Sequence, residues 1–265
     1  LVKENKGITL FPNDLQKPKY SARMSPMQKV ENTKEDSALI EQMFNAGAHY
    51  GYGKSRRHPS VSSYIYATKN KTDIINLEKT NISLKAALEF VKELGTKGKV
   101  VLFVGTKPEA KEITKDAGLT LGMPYVTERW IGGTLSNFPE IKKRIAEFEN
   151  YQKESKDGGL DKYTKKERVV MAKKMEKLSR YYSGLIGLKK MPDALFIVDA
   201  KKEHVAETEA RKSSVPIIAL TNSDSNIKGI GYPIVSNDTG IPSIKFFVTQ
   251  IINAYKGGAN SQANK

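Results

Sequence analysis

The side chains able to do acid–base or metal chemistry are few and scattered. Three histidines, His49, His58 and His204, and no cysteine are present, which removes disulfides, zinc knuckles, iron–sulfur clusters and thiol nucleophiles. No histidine stands in an HExxH spacing, so a metal site would have to be assembled from distant carboxylates. There is no G-x-S-x-G elbow for a hydrolase nucleophile. The phosphate loops fail in turn. A P-loop ending at Gly53-Lys54-Ser55 needs glycine where Ala48 stands, and a dinucleotide fingerprint opening at Gly51 and Gly53 needs one at Arg56. Gly105 follows a strongly apolar run at the proper place for a nucleotide turn, but it is alone, and a lone glycine there serves the turn itself. Asp199 closes a second apolar run, where α/β enzymes often place an acid; its plainer role is to cap a helix starting near Lys202. The sequence therefore implies neither a cofactor nor a metal.

Binding chemistry, by contrast, is concentrated. Between Lys54 and Lys71 lie Lys54, Arg56, Arg57, Lys69 and Lys71 with no acid among them, and Tyr50, Tyr52, Tyr64 and Tyr66 lie in or beside the same stretch. Cations neutralise phosphates and aromatic faces stack bases, the two terms that dominate affinity for RNA. A second basic region runs from Lys142 to Lys177 and includes Lys165 and Lys166; its bland alternative is a solvated helix face. Between the two, TERWIGGTLSNFPE holds the only tryptophan, Trp130, beside Arg129 and the pair Gly132-Gly133. This reads as a rigid connection anchored by the indole, with Arg129 and the glycine backbone free to meet a phosphate or a partner chain.

The elements that must position these residues follow from periodicity. Residues 1–35 carry Pro12, Pro18 and Pro26 with no regular period, and read as an extended or disordered basic arm. EDSALIEQMFNAG is a short amphipathic helix stopped at Gly47. SYIYATKNK and TDIINL are two strands joined by a polar turn. A helix is expected over Asn81–Leu94 with Gly95 as its stop. VVLFVGTKPEA combines a doubly buried strand with a helix, whose capping box is expected at Thr106 and Glu109 with Pro108 in the first turn. The same grammar returns in PDALFIVDAKKEHVAETEA and SVPIIALTNSD, and a last helix is expected from about Ile241 to Tyr255. Strand and helix alternating at this spacing give a doubly wound, mostly parallel α/β sheet of Rossmann or flavodoxin type, over 36–138 and 191–256. Residues 139–190 break the rhythm with two helical patterns, the second opening on a capping box at Thr164 and Glu167, and predict an inserted, projecting antiparallel helical hairpin. Residues 257–265 read as a disordered polar tail.

Charge and length bound the rest. With 44 Lys and Arg against 29 Asp and Glu, the 265-residue chain carries +15, which favours polyanions. No apolar run approaches the ~18 residues of a membrane span, and the N-terminus lacks a signal peptide's apolar stretch. No membrane partner is expected.

The segments GAHYGYGKSRRHP, NKTDIINLEKT, FVGTKPEAKE, RWIGGTLSNF, DKYTKKE, MPDALFIVDAKKEHVAETEA, VPIIALTNSDSN and YPIVSND resemble, in order and spacing, the bacterial-type ribosomal protein S-two family. The resemblance runs from about Ala38 to Tyr255. It implies the α/β sheet with a protruding hairpin, and a non-enzymatic, structural role in the small ribosomal subunit in translation. The implied partners are small-subunit ribosomal RNA and neighbouring ribosomal proteins, including ribosomal protein S-one. The implied location is a cytoplasmic ribosome, or an organellar one. Carried over by position, Arg56, Arg57, His58, Asn70 and Lys71 are the best RNA candidates, and Arg129 with Trp130 occupies the family's Arg-Trp pair. Tyr52 stands where many members have a second histidine, which argues further against a histidine metal site. Two rivals remain open at this level: a nucleotide-dependent enzyme on a Rossmann-like sheet, and a free regulatory RNA-binding module.

Overall fold

The structure is a computed structural model that describes residues 34–156 and 163–263. Its centre is a five-stranded, fully parallel sheet of β4 (Val101–Val104), β5 (Tyr125–Val126), β6 (Ala194–Val198), β7 (Ile217–Thr221) and β8 (Tyr232–Val235), in the order β5-β4-β6-β7-β8. Every residue of β4, β6 and β7 is buried. This is what continuous runs of Val, Ile, Leu and Phe produce when helices cover both faces. Alternate side chains feed two cores. Val101, Phe103, Phe196, Ile218 and Leu220 meet α2 (Leu77–Thr96), α3 (Pro108–Leu121) and α7 (Ile241–Ala263) on one face. Leu102, Val104, Leu195, Ile197 and Ala219 meet α6 (His204–Lys212), Trp130 and the root of the hairpin on the other. The hairpin is α4 (Phe138–Lys156) and α5 (Lys165–Tyr182).

A smaller antiparallel sheet, order β1-β3-β2, sits at the β8 side: β1 (Tyr50–Gly53), β2 (Ile65–Lys69) and β3 (Thr72–Ile75). Asn70 and Lys71, at φ +50° and +62°, make the two-residue turn between β2 and β3, the backbone that a tight hairpin demands. This sheet is tied to the larger one through backbone bonds from His58 N to Ser223 O (2.9 Å) and from Asn237 N to Ala48 O (3.0 Å). α1 (Lys34–Asn45) packs on α2, where Asn81 Nδ2 donates to the Asp36 carboxylate (3.0 Å).

Four local expectations are corrected. α2 begins at Leu77, because Asn76 caps the amides of Glu78 and Lys79. Gly95 does not stop it: a Cβ there would lie 2.2 Å from Tyr255 O, so this glycine permits the close approach of α7. The final helix likewise does not end near Tyr255. It continues to Ala263 because Gly258, whose Cβ would lie 2.1 Å from Lys92 O, keeps α7 against α2, and the expected polar tail at 257–265 is helical as far as it is described. The Thr106 and Glu109 capping box does not form; α3 starts at Pro108 with Lys107 as N-cap and no side-chain cap bond, while the Thr106 hydroxyl bonds Glu203 instead. The Thr164 and Glu167 box is present as expected, with Thr164 N donating to Glu167 Oε2 (2.9 Å). The expected arm, up to residue 33, and the hairpin tip at 157–162 lie outside the described residues.

Candidate nucleic-acid interface

In open α/β sheets ligands bind beyond the carboxyl ends of the strands. Here that crevice is filled by the chain's own ions. Lys107, which follows β4, places its Nζ 2.7 Å from Asp199 Oδ2 beyond β6 and 3.1 Å from Asp238 Oδ1 beyond β8. The same ammonium donates to Asp238 O at 3.3 Å and lies 6.0 Å from the Tyr52 ring. Burial opposes the Lys107 charge, but the two carboxylates outweigh it and raise its pKa. Burial first, and Asp199 second, push the Asp238 carboxyl up to about 6. Asp199 does accept from Lys202 N (3.0 Å), the capping role expected of it, and it is at the same time an anion of this triad. Gly105 serves packing, since a Cβ there would meet Thr114 Oγ1 at 2.3 Å. Among the described residues no three acids or histidines are grouped to hold a metal.

The backbone of the RWIGG segment is also occupied. The Glu209 carboxylate from α6 accepts from Gly133 N (2.7 Å), Leu135 N (3.0 Å) and Ser136 N (3.4 Å). These amides form an anion nest, and the anion is internal. They are not free for a phosphate. Trp130 is buried as expected, while Arg129 stays exposed. It lies just beyond β5, at the opposite edge of the sheet from the β1–β3 sheet.

Within the basic stretch the structure separates clamps from free charges. Arg57 turns inward: its Nε donates to Asp73 Oδ2 (2.7 Å), and its Nη2 donates to Thr68 Oγ1 (2.7 Å) and to Asp73 Oδ1. Asp73 is fully buried, and the Arg57 hydrogen bond holds its carboxyl below the usual carboxylate range. His58 also works locally, its Nδ1 accepting from Ser60 N (3.2 Å). By contrast Lys54, Arg56, Lys69, Asn70 and Lys71 are exposed. A bond from Lys54 N to Lys71 O (2.9 Å) lays the Lys54–Arg56 turn beside the β2–β3 turn, so residues fifteen or so apart in sequence share one surface. The Arg56 guanidinium carbon lies 5.7 Å from the Tyr52 ring, within cation–π range. Of the interleaved tyrosines, Tyr50 and Tyr66 are exposed, whereas Tyr64 is buried with its hydroxyl on Ser83 Oγ (3.0 Å). Lys165 and Lys166 are exposed in the first turn of α5. Lys107, Asp238, Asp73 and Glu209 were not legible as site residues in the sequence, since each finds its partner only through the tertiary fold.

These features define a basic doubly wound α/β protein with an inserted helical hairpin, its strand-end crevice closed by internal ion pairs and its free cations outside. The chain belongs to the ribosomal protein S2 family, whose family model matches residues 43–258. It is 38% identical over 219 residues to the small ribosomal subunit protein uS2 of Coprothermobacter proteolyticus, covering 83% of this chain and 82% of that one. It is 36% identical over 226 residues to the protein of the same name from Salinibacter ruber, covering 85% of this chain and 71% of the relative.

Proposed function

We propose that the chain is a structural component of the small ribosomal subunit, holding ribosomal RNA and neighbouring proteins with no reaction of its own. Family membership over residues 43–258 carries the reading, and the site agrees with it. The crevice that a nucleotide-dependent enzyme would use is taken by Lys107, Asp199 and Asp238. Lys54, Arg56, Lys69 and Lys71 form the RNA contact at the β2–β3 turn, with Asn70 between them; Arg129 and the hairpin lysines, Lys165 and Lys166 included, add contacts elsewhere. Arg57 and His58 support that surface from within. Ribosomal protein S-one is among the expected protein partners. Recognition is by charge and shape, so log affinity falls linearly with log salt. Among the described residues no helix is long and apolar enough to cross a membrane, in keeping with a ribosomal location. Sedimentation of a cell extract tests the reading. The protein should travel with small subunits at about one copy each; a protein left at the top of the gradient would be a free RNA-binding module and would overturn it.

A further inference from the structure

The two helices of the hairpin are unequal in charge. α4 has five cations and four acids, whereas α5 has seven cations and two acids. On α4, Lys143 meets Glu140 (3.2 Å) and Arg144 meets Glu147 (3.3 Å), while Glu147 also draws Lys174 of α5 into the seam. On α5, Glu167 is consumed by the capping box and Arg180 leans 3.6 Å from Glu128 at the root. Lys165, Lys166, Lys173 and Lys177 remain on α5, all exposed and without an ion-pair partner among the described residues. On α4, Lys142 and Lys153 are likewise exposed and unpaired among the described residues, but Glu149 lies between them on the same helix face, whereas no acid interrupts the line through Lys166, Lys173 and Lys177.

Their spacing is ordered. At 100° per residue, positions 166, 173 and 177 fall within about 40° of one another, directly opposite the face that buries Met175 and Tyr182. At 1.5 Å per residue they span about 16 Å. A nucleic-acid duplex presents a phosphate charge about every 1.7 Å of its axis, so a straight row of that length meets several. A row of like charges kept unpaired costs a free protein self-repulsion, which a polyanion relieves.

We infer that the outer face of α5, through Lys166, Lys173 and Lys177, is the hairpin's RNA-binding surface, and that it grips the phosphate backbone while α4 serves as its support. The inference rests on the RNA-binding reading above and adds which helix and which face carry it. Val169 and Val170, exposed on either side of the row, are the foothold a protein partner would use instead.

The test measures binding of the full chain to in vitro transcribed small-subunit ribosomal RNA across a salt series. The triple variant Lys166→Gln, Lys173→Gln, Lys177→Gln is compared with Lys142→Gln, Lys143→Gln, Arg144→Gln, and circular dichroism and thermal melts confirm that both fold; a lone Lys173→Glu reversal stands in should the triple fail. The log–log salt slope should flatten by about 2 to 3 in the α5 variant, near 0.9 for each lost duplex phosphate contact, and stay near the wild-type value in the α4 variant. Equal slopes in the α5 variant and the wild type would overturn the assignment while leaving RNA binding through the β2–β3 turn intact. Absence of RNA binding by the wild type would instead sink the reading on which it rests. An unchanged α5 slope, with Val169→Ser and Val170→Ser abolishing a protein cross-link in reconstituted subunits, would mark the face as a protein contact and also overturn it.

Discussion

Arg56 and Arg57 are neighbours in the chain with opposite work. Arg57 forks onto the fully buried Asp73, and removing one partner of such a pair strands the other charge, at a cost of about 3 kcal/mol or more. Arg57→Ala should therefore lower the urea midpoint substantially, with any loss of RNA binding following from that. Arg56→Ala should leave the midpoint unchanged and weaken RNA binding, because its guanidinium is exposed and, among the described residues, faces only the Tyr52 ring. Denaturant melts and salt-controlled binding on both variants separate the two roles. Asp238 gives a second residue-scale expectation. Its carboxyl titrates near 6 in the folded chain against an ordinary 3.8, so the folded state takes up a proton before the unfolded state does. Its contribution to stability then declines as pH rises from about 4 to about 6 and is level above that. Asp238→Asn removes this dependence, so the stability of wild type minus that of the variant should fall across that window in urea melts at stepped pH. Asp73, whose pKa is depressed, acts with the opposite sign; it is common to both proteins and cancels in the difference.

At the scale of elements, the legible features were those fixed by local physics. The buried strands announced themselves through unbroken apolar runs, the Thr164 and Glu167 box through its spacing, and the strand pair joined at Asn70-Lys71 through its polar turn. The misread features were decided by a distant segment. Thr106 has the right spacing to cap α3, but Glu203 lies 97 residues away in sequence and takes its hydroxyl. Gly95 and Gly258 look like a stop and the start of a tail, and both instead remove a Cβ from the contact of α2 with α7. A glycine's local meaning and its packing meaning cannot be told apart along the chain. The same holds for the anion nest, whose amides at 133–136 and carboxylate at 209 no local pattern connects. Gly258→Ala tests the packing reading: the forced overlap should cost about 1–3 kcal/mol or release the end of α7. Amide hydrogen exchange would then speed up after about Tyr255 and leave the sheet strands slow. Unchanged protection there would mean that the close approach is not what extends the helix.

For the whole molecule, the distribution of charge matters more than its total of +15. The basic turn is attached at the β8 side, through Ser223 and Asn237. The hairpin root is attached at the β5 side, through Arg180 on Glu128. Four strand spacings of about 4.8 Å separate those edges, so the two surfaces are distinct patches on one body. Two surfaces on one body engage a folded RNA as linked sites, and linkage can raise overall affinity by about 10² to 10⁴ over either site alone. Neutralising Lys54, Arg56, Lys69 and Lys71 should therefore lower affinity for intact small-subunit RNA by at least the effective-concentration factor, about 10²-fold, as should neutralising the α5 row. On isolated RNA stems each variant should lose affinity only for the stem its missing surface touches. Binding of the two variants to intact RNA and to a panel of stems, at one fixed salt concentration, reads this directly. Losses on intact RNA no larger than those on single stems would show that the surfaces act independently, and that the sheet carries them without setting the distance between them.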